Sequence, residues 1–471
     1  MNTRRDFLKL AGYGAVGAAL FPRVGSAAGQ VSQGLESASA QAAADKHGKP
    51  RRPNIVFILA DDLGFESLGC YGGVTYKGLG PVKTPNLDAM AKGGLLFKQC
   101  FACPVCSPAR SEALTGKYNF RVGFRRILSQ PGVVDRLDHK AHPTVAQRLK
   151  ESGYVTALVG KWHLGPPFTK GKEIEEIPKS ADADTDYPHP RDCGFDRQCI
   201  FSGGHLGTYG EPKPGQYTPE LLQQWTLRFL DSRKDKPEPF FIYYASPIPH
   251  GPLFPTPLNP DGKRDKVRGD LSNYPYLVEY LDQQVGELLA RLTTLGLREN
   301  TLVMFAGDNG SYGVTTQMRD GREVTGGKGS PADTGAWVPL LASWPGVVPA
   351  GSVYEGLVDF TDLLPTCLEL AGATPHAGVD GVSFAPQLAG QPGQPREWVF
   401  VLGGDRWYAR ETKWKLNNTR QLLDVSNSPY AETLVKPQDD TPASKAARSR
   451  LQAVLDKLNP GKGEARTKRQ K

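Results

Sequence analysis

The sequence predicts an α/β protein: a large, mostly parallel central sheet flanked by helices, followed by a smaller C-terminal antiparallel sheet. Three observations carry this reading. Four apolar runs of strand length each end in charged or ligand-type residues, helix-like segments lie between them, and the last part of the chain breaks into short strand-like pieces joined by turns. Alternating strands and helices are the signature of a parallel, doubly wound core.

The first run is Asn54 to Ala60, continuous and apolar as expected of a strand buried on both faces, and it stops abruptly at Asp61-Asp62-Leu63-Gly64. The pattern recurs three times. Val155 to Val159 leads into Gly160-Lys161-Trp162-His163, Phe240 to Ala245 into Ser246-Pro247-Ile248-Pro249-His250, and Thr301 to Ala306 into Gly307-Asp308-Asn309-Gly310. Strands of one sheet with aligned carboxyl ends would bring these polar clusters to a single edge, where open α/β sheets bind ligands.

Between the strands, residues 143–152 have helical spacing, and residues 276–295 place Leu277, Leu281, Val285, Leu288, Leu292 and Leu295 on one face. Residues 171–190 and 251–269, rich in Pro, Gly and charge, are expected as long loops at the rim of the site. Leu340 to Pro345 reads as another core strand and Asp359 to Leu370 as a helix candidate, from Asp362-Leu363-Leu364-Pro365 onward. Trp398 to Leu402, Trp407 to Arg410 and Lys413 to Leu416 read as the antiparallel pieces, and Ser444 to Leu458 as a terminal helix capped by Ser444.

The resulting division is a signal segment over 1–28, a flexible leader over 29–52, a catalytic unit over 53–390, a small subdomain over 391–459 and a basic disordered tail over 460–471. The net charge of +8 is confined to the ends. Residues 1–28 carry +3, 29–52 carry +2 and 460–471 carry +4, which leaves −1 on the body and argues against a nucleic-acid partner. Arg4-Arg5 precede an apolar run from Leu10 to Phe21 and a small-residue stretch, Ser26-Ala27-Ala28. That run is shorter than the ~20 residues of a membrane span, and the paired arginines match a twin-arginine export signal. The expected location is therefore periplasmic or secreted, with the twin-arginine translocase as partner.

The central stretch for chemistry is Cys103 to Gly116, C-P-V-C-S-P-A-R-S-E-A-L-T-G. Pro108 suits a first helical turn, which places Cys106 just before a helix N-terminus, an end that favours anions. Cys100, Cys103 and Cys106 also spell C-x2-C-x2-C, but Ala109 and Arg110 stand where an iron–sulfur run would continue to its fourth cysteine. Of the seven cysteines, Cys193 and Cys199 form a candidate local disulfide. Asp61, Asp62, Asp308 and Asn309 are oxygen donors that suit Ca2+ or Mg2+ better than zinc, or else cap turns. Arg110, Lys161, His163, His250 and Lys328 could supply positive charge and proton transfer.

The order C-x-P-x-R…L-T-G at Cys106, Pro108, Arg110, Leu114, Thr115 and Gly116 resembles the signature of the formylglycine-dependent sulfatases. So do D-D-L-G at 61–64, G-K-W-H-L-G at 160–165, P-I-P-H-G-P at 247–252, D-N-G at 308–310, G-G-K-G at 326–329, Tyr280-Leu281-Asp282, D-L-L-P-T at 362–366 and D-G-V-S at 380–383. The resemblance spans Pro53 to Asp424 and implies an alkaline-phosphatase-like fold and hydrolysis of sulfate esters of carbohydrates or aryl alcohols.

It further implies that a maturation enzyme converts Cys106 to formylglycine, whose hydrated aldehyde attacks sulfur and later expels sulfate. Asp61, Asp62, Asp308, Asn309 and position 106 would then hold Ca2+, or Mg2+. Arg110 and His163 would orient the nucleophile, Lys161 and Lys328 would hold the sulfate, and His250 with Lys328 would protonate the leaving alcohol. Phosphonate monoester or phosphodiester hydrolysis is the alternative, since related proteins use the same nucleophile. One departure stands out: where the family often has E-G-G-x-R-x-P, this chain has D-T-G-A-W-V-P at 333–339, with Trp337 in place of Arg.

Overall fold

The computed structural model describes residues 52–462 except 79, 129, 131–132, 167–183, 202–216, 260–269, 314 and 375. The expected signal segment and most of the leader lie outside the described residues. Strands β1 (Asn54–Asp61), β2 (Leu95–Phe101), β3 (Val155–Lys161), β4 (Arg197–Phe201), β5 (Phe240–Pro249), β6 (Thr301–Gly307), β7 (Trp337–Ser343) and β8 (Ser352–Asp359) form one sheet in the order β8-β2-β7-β6-β1-β5-β3-β4. Only β7 runs antiparallel to its neighbours within this sheet. The four apolar runs read from the sequence are adjacent and parallel, as β6-β1-β5-β3.

Both faces of the sheet are covered, which is why β1 is apolar at successive positions. Ile55, Phe57 and Leu59 join one buried cluster while Val56, Ile58 and Ala60 join another, as the two-residue period of a strand requires. The flanking helices, in chain order, are α1 (Pro85–Lys92), α2 (Cys106–Thr115), α3 (Val145–Glu151), α4 (Thr218–Ser232), α5 (Tyr274–Thr294) and α6 (Leu363–Leu370), of which α2, α3 and α6 cover the first face. Helices α1, α4 and α5 cover the second face. In α5, Leu277, Leu281, Val285, Leu288 and Leu292 are all buried, each worth roughly 1.5–3 kcal/mol relative to exposure.

The C-terminal antiparallel sheet has five strands, Val399–Gly403, Arg406–Arg410, Trp414–Asn417, Leu422–Asp424 and Thr433–Val435. One face packs on helix α7 (Pro442–Leu458), and Val399, Val401 and Tyr408 pack on Phe101, Ala336 and Leu357 of the main body. A further small antiparallel sheet, not expected from the sequence, joins Gly73–Tyr76 and Gly80–Pro81 to a hairpin of Thr316–Arg319 and Arg322–Thr325.

Several expectations are corrected. Helix α7 begins at Pro442 with Thr441 as its cap, and Ser444 closes the capping box from the third helical position. Cys193 and Cys199 are both free thiols, and they pack in clusters on opposite faces of the sheet, so the sheet itself separates them. Within the expected loop 171–190, Pro188–Asp192 is a short helix with His189 buried; residues 167–183 lie outside the description, as do 260–269 of the second loop. Asp359 ends β8 and caps a 3-10 turn, and α6 runs from Leu363 with Asp362 as its cap residue, one residue from the start read in the sequence. Pro460–Lys462 forms a 3-10 turn whose Pro460 carbonyl accepts a hydrogen bond from Arg125 (2.7 Å), and the rest of the expected tail lies outside the described residues. Among the described residues, no helix is long and apolar enough to cross a membrane.

Candidate active site

Strand register builds the site. Ala60 pairs with Gly307 on one side, and Asp61 pairs with Pro249 on the other after a local irregularity. Asp61-Asp62, Asp308-Asn309 and His250 are thereby carried past the same edge, and the pairing of Gly160 with Ala245 adds Lys161. Gly307 is dictated by this crossing: a Cβ there would lie 1.9 Å from the Leu63 carbonyl oxygen. Asp62 takes a left-handed conformation (φ 64°), which Asp tolerates better than most side chains.

Cys106 arrives from β2 through a short turn. It is the first residue of α2 rather than the residue before it, since Val105 has the extended geometry of the cap. All ten residues of α2 are buried, so the helix points its positive end into the site from inside the protein. Arg110, one turn on, lies on the same face as Cys106. Its guanidinium donates to Asp308 (2.7 Å) and to the Lys161 carbonyl (3.3 Å), and lies 3.5 Å from Asp61.

Lys161 Nζ donates to Asp61 Oδ2 and Lys328 Nζ to Asp62 Oδ2, both at 2.6 Å. Asn309 donates to Asp62 Oδ1 (2.8 Å), the Asp62 amide donates to Asp308 Oδ1 (3.0 Å), and His250 Nε2 lies 3.6 Å from Asp62. His163 follows Lys161 by two residues and is buried, with φ 53°. Every residue read as a site candidate, Asp61, Asp62, Cys106, Arg110, Lys161, His163, His250, Asp308, Asn309 and Lys328, therefore lies at or beside one rim.

The electrostatics follow from burial of both signs of charge. Burial opposes ionisation of Asp61, but Lys161, His250, Arg110 and Lys328 together hold it well below the usual carboxylate range. Burial and then the charge of Asp61 push Asp308 up. Burial drives the Cys106 thiol up to about 12, against the pull of Lys161 and Lys328. An unmodified thiol here is a poor nucleophile, because the thiolate is the reactive form. Burial also lowers His163, and lowers His250 to about 4 in spite of Asp61 and Asp62.

The donor set fits a hard divalent cation. Asp61, Asp62, Cys106 and His250 offer one ligand-type atom each, all within 4.8 Å of one another. Asp61 Oδ1 and Asn309 Oδ1 are buried with no hydrogen-bond partner among the described residues, the state of an oxygen reserved for a ligand. Three carboxylates (Asp61, Asp62, Asp308) face three cations (Arg110, Lys161, Lys328). A bound dication would tip this balance positive and favour an anionic substrate. Of the C-x2-C-x2-C cysteines, only Cys106 belongs to this group; the Cys103 thiol instead donates to Glu112 (3.2 Å).

Sequence reasoning missed two supporting residues. Tyr274, at the start of α5, donates to the Asp62 carbonyl (3.0 Å), and Ser311 accepts from the Gly64 amide (2.8 Å). Ser311 directly follows D-N-G and could have been suspected, whereas nothing local to Tyr274 signals contact with a turn more than 200 residues away. Trp337, the departure noted in the sequence, stacks on Phe65 (centroids 4.2 Å apart) and donates to the Lys98 carbonyl (2.9 Å), so it serves packing behind the site.

A buried cysteine at a helix N-terminus, an oxygen-rich cluster and a ring of fixed positive charge at the carboxyl edge of a parallel sheet are the features of an enzyme that binds anionic esters. Comparison with known proteins gives the family. A sequence model of the Sulfatase family matches residues 53–373. Human arylsulfatase A is 36% identical over 379 residues, covering 74% of this chain and 70% of that protein. The N-acetylgalactosamine-6-sulfatase of Canis lupus familiaris is 31% identical over 399 residues, covering 76% and 70%. Among solved structures, Ps i-CgsB in complex with k-i-k-neocarrahexaose superposes with a TM-score of 0.71 at 25% identity, covering 88% of this chain and 94% of that one. PsFucS1 sulfatase from Pseudoalteromonas sp. shares the fold, with a TM-score of 0.70 at 21% identity over 93% and 95%. The chain belongs to the sulfatase family of the alkaline-phosphatase superfamily and is a sulfuric ester hydrolase.

Proposed function

We propose that this sulfatase acts on sulfate esters of carbohydrates or aryl alcohols through a formylglycine made from Cys106 and a divalent cation, Ca2+ or secondarily Mg2+. The observation that carries the reading is the gathering of Cys106, Arg110, Lys161 and the four oxygen donors Asp61, Asp62, Asp308 and Asn309 at one buried rim. Formylglycine would supply a hydrated aldehyde whose one hydroxyl attacks sulfur while the other later drives release of sulfate. A cation held by Asp61, Asp62, Asp308, Asn309 and the oxygen of residue 106 would supply charge beside the sulfate oxygens.

The chain's own residues would do the rest. Arg110 and His163 orient residue 106, and Lys161 and Lys328 hold the sulfate, with no reorganisation cost because their partners already fix them. His250 and Lys328 face the leaving oxygen as proton donors. His250 is neutral in the free protein, so the negative charge of bound substrate is what would raise it toward its acid role. Residues 53–390 would form the catalytic unit and 391–459 an attached subdomain. The N-terminal twin-arginine motif supports export to the periplasm or beyond, after cytoplasmic maturation.

The test is mass spectrometry of the peptide containing residue 106 after co-expression with a formylglycine-generating enzyme, paired with turnover of sulfate and phosphonate model esters. The proposal expects aldehyde at 106 and faster sulfate turnover. A plain thiol in active enzyme would sink it, and faster phosphonate turnover would favour the alternative substrate class.

A further inference from the structure

A second cluster of buried charge lies outside the site and is used by nothing described so far. Asp333, fully buried, accepts from Arg410 Nε (3.1 Å), Lys415 Nζ (3.2 Å) and the Ser428 hydroxyl. Lys415 also donates to both carboxylate oxygens of Glu432 (2.9 Å each), and Glu432 accepts from the Asp333 amide (2.8 Å). Two anions thus meet two cations, with Asp333, Arg410 and Lys415 buried and Glu432 reaching the surface. Asp333 belongs to the main body, and Arg410, Lys415, Ser428 and Glu432 to the C-terminal sheet region.

Such a network is a weak device for stability, since apolar side chains of similar size fill a core at lower desolvation cost; its established use is to fix one arrangement among several. What it fixes here can be traced. Lys415 Nζ donates to the Pro331 carbonyl (2.8 Å) and Arg406 to the Gly329 carbonyl (3.2 Å), so the C-terminal sheet grips the segment that follows Lys328 at three points. On its other side the same segment is bonded to the nucleophile turn, Gly329 amide to Pro104 carbonyl (2.8 Å), and to the strand end beyond Asn309, Lys328 amide to Ser311 carbonyl (3.1 Å). It approaches that strand end so closely that a Cβ on Gly310 would lie 1.9 Å from the Thr334 carbonyl oxygen. The other charged groups of the site stand on or beside the ends of main-sheet strands or on α2, whereas Lys328 stands on this clamped loop.

We infer that the Asp333–Arg410–Lys415–Glu432 network is a positioning device through which the C-terminal sheet holds the Lys328 ammonium against Asp62 at the sulfate end of the site. The inference rests on the reading of Lys328 as a sulfate-holding group. Asp333 and its partners are positioning residues, since they touch neither residue 106 nor the cation cradle, and the region from 399 onward that completes the clamp lies beyond the family match ending at residue 373.

A double-mutant cycle in the full-length, matured protein tests it. D333N is made alone and together with K328A, and two quantities are read: kcat/KM on 4-nitrophenyl sulfate and the dissociation constant of inorganic sulfate by calorimetry. E432Q, at a partly exposed position, runs through the same cycle and carries the test if D333N does not fold. The expected result is a loss of about tenfold or more in both quantities with Lys328 present, shrinking to under about twofold when Lys328 is already alanine. Equal losses in both backgrounds would show that the network acts on the fold in general and overturn the inference alone. Full activity in K328A would remove the reading of Lys328, and the inference with it.

Discussion

Asp62 concentrates the demands on a single residue. Its carboxylate takes Lys328 and Asn309, its amide gives to Asp308, its carbonyl takes Tyr274, and its backbone is left-handed. D62N keeps the size and tolerates the conformation but removes the charge that Lys328 and a cation need. Turnover is expected to fall by at least about a hundredfold, and the melting temperature to drop by a few degrees, because the largely buried Lys328 ammonium loses its counter-charge. C106A should abolish turnover while circular dichroism and thermal unfolding stay close to the parent, because the lost sulfur is small; residual turnover near the parent's would disprove the nucleophile assignment.

At this scale the sequence was most informative, and for a physical reason. Polar groups gathered at the edge of a buried sheet must leave it at strand ends, so Asp61, Lys161 and Asp308 come within two residues of the end of an apolar run and His250 within five. Asp333 was visible in the sequence only as part of a departure from the family pattern. Its partners come from three separate segments, so no local spacing reveals what it does.

Among the elements, legibility tracked burial on both faces. β1, β3, β5 and β6 read as continuous apolar runs because both sides are covered, and α5 because its stripe repeats over several turns. β8 was missed because its first half alternates between partly buried and exposed residues before joining the core, and β2 carries Lys98 exposed in mid-strand. The cap of α7 was misplaced by three residues because Ser444 also belongs to the capping box, while the stronger clue was Pro442 at the first helical position. T441A should therefore cost about 1 kcal/mol, and S444A less than T441A in urea unfolding, if the cap is the oxygen at 441.

The 3-10 turn after Asp62 carries a different liability. Glu66 is fully buried near Tyr76, Tyr274, Ser311 and Arg319, and burial lifts it to about 7, with Ser311 and Arg319 pulling the other way. Its folded-state value exceeds the unfolded one. The associated stability is thus complete below the unfolded value near 4.5 and lost as pH rises through about 7. E66Q should remove this dependence, so its melting temperature relative to the parent should rise between pH 5 and pH 8; a constant difference would show that Glu66 is already ionised throughout.

For the molecule as a whole, the candidate cation cradle joins β1 to the segment after β6, so an ion held there should tighten the fold. Chelation is expected to lower the melting temperature by a few degrees, about what binding at a hundredfold excess over Kd would contribute, and Ca2+ should restore it. An unchanged melting curve after chelation would argue that the oxygen donors hold no structural ion.

The single reversed strand has a further effect. β6 ends at the catalytic edge and β7, running the other way, begins there, so the whole excursion from Asp308 to Ala336 departs from and returns to the lip of the active site without crossing the sheet. Both feet therefore deliver site groups to the same lip, Asp308 and Asn309 on the way out and Lys328 on the way back. The hairpin of Thr316–Arg319 and Arg322–Thr325 near its middle carries none of the charged groups of the site and is held instead by pairing with Gly73–Tyr76, so the excursion is pinned at its crest as well as at its feet.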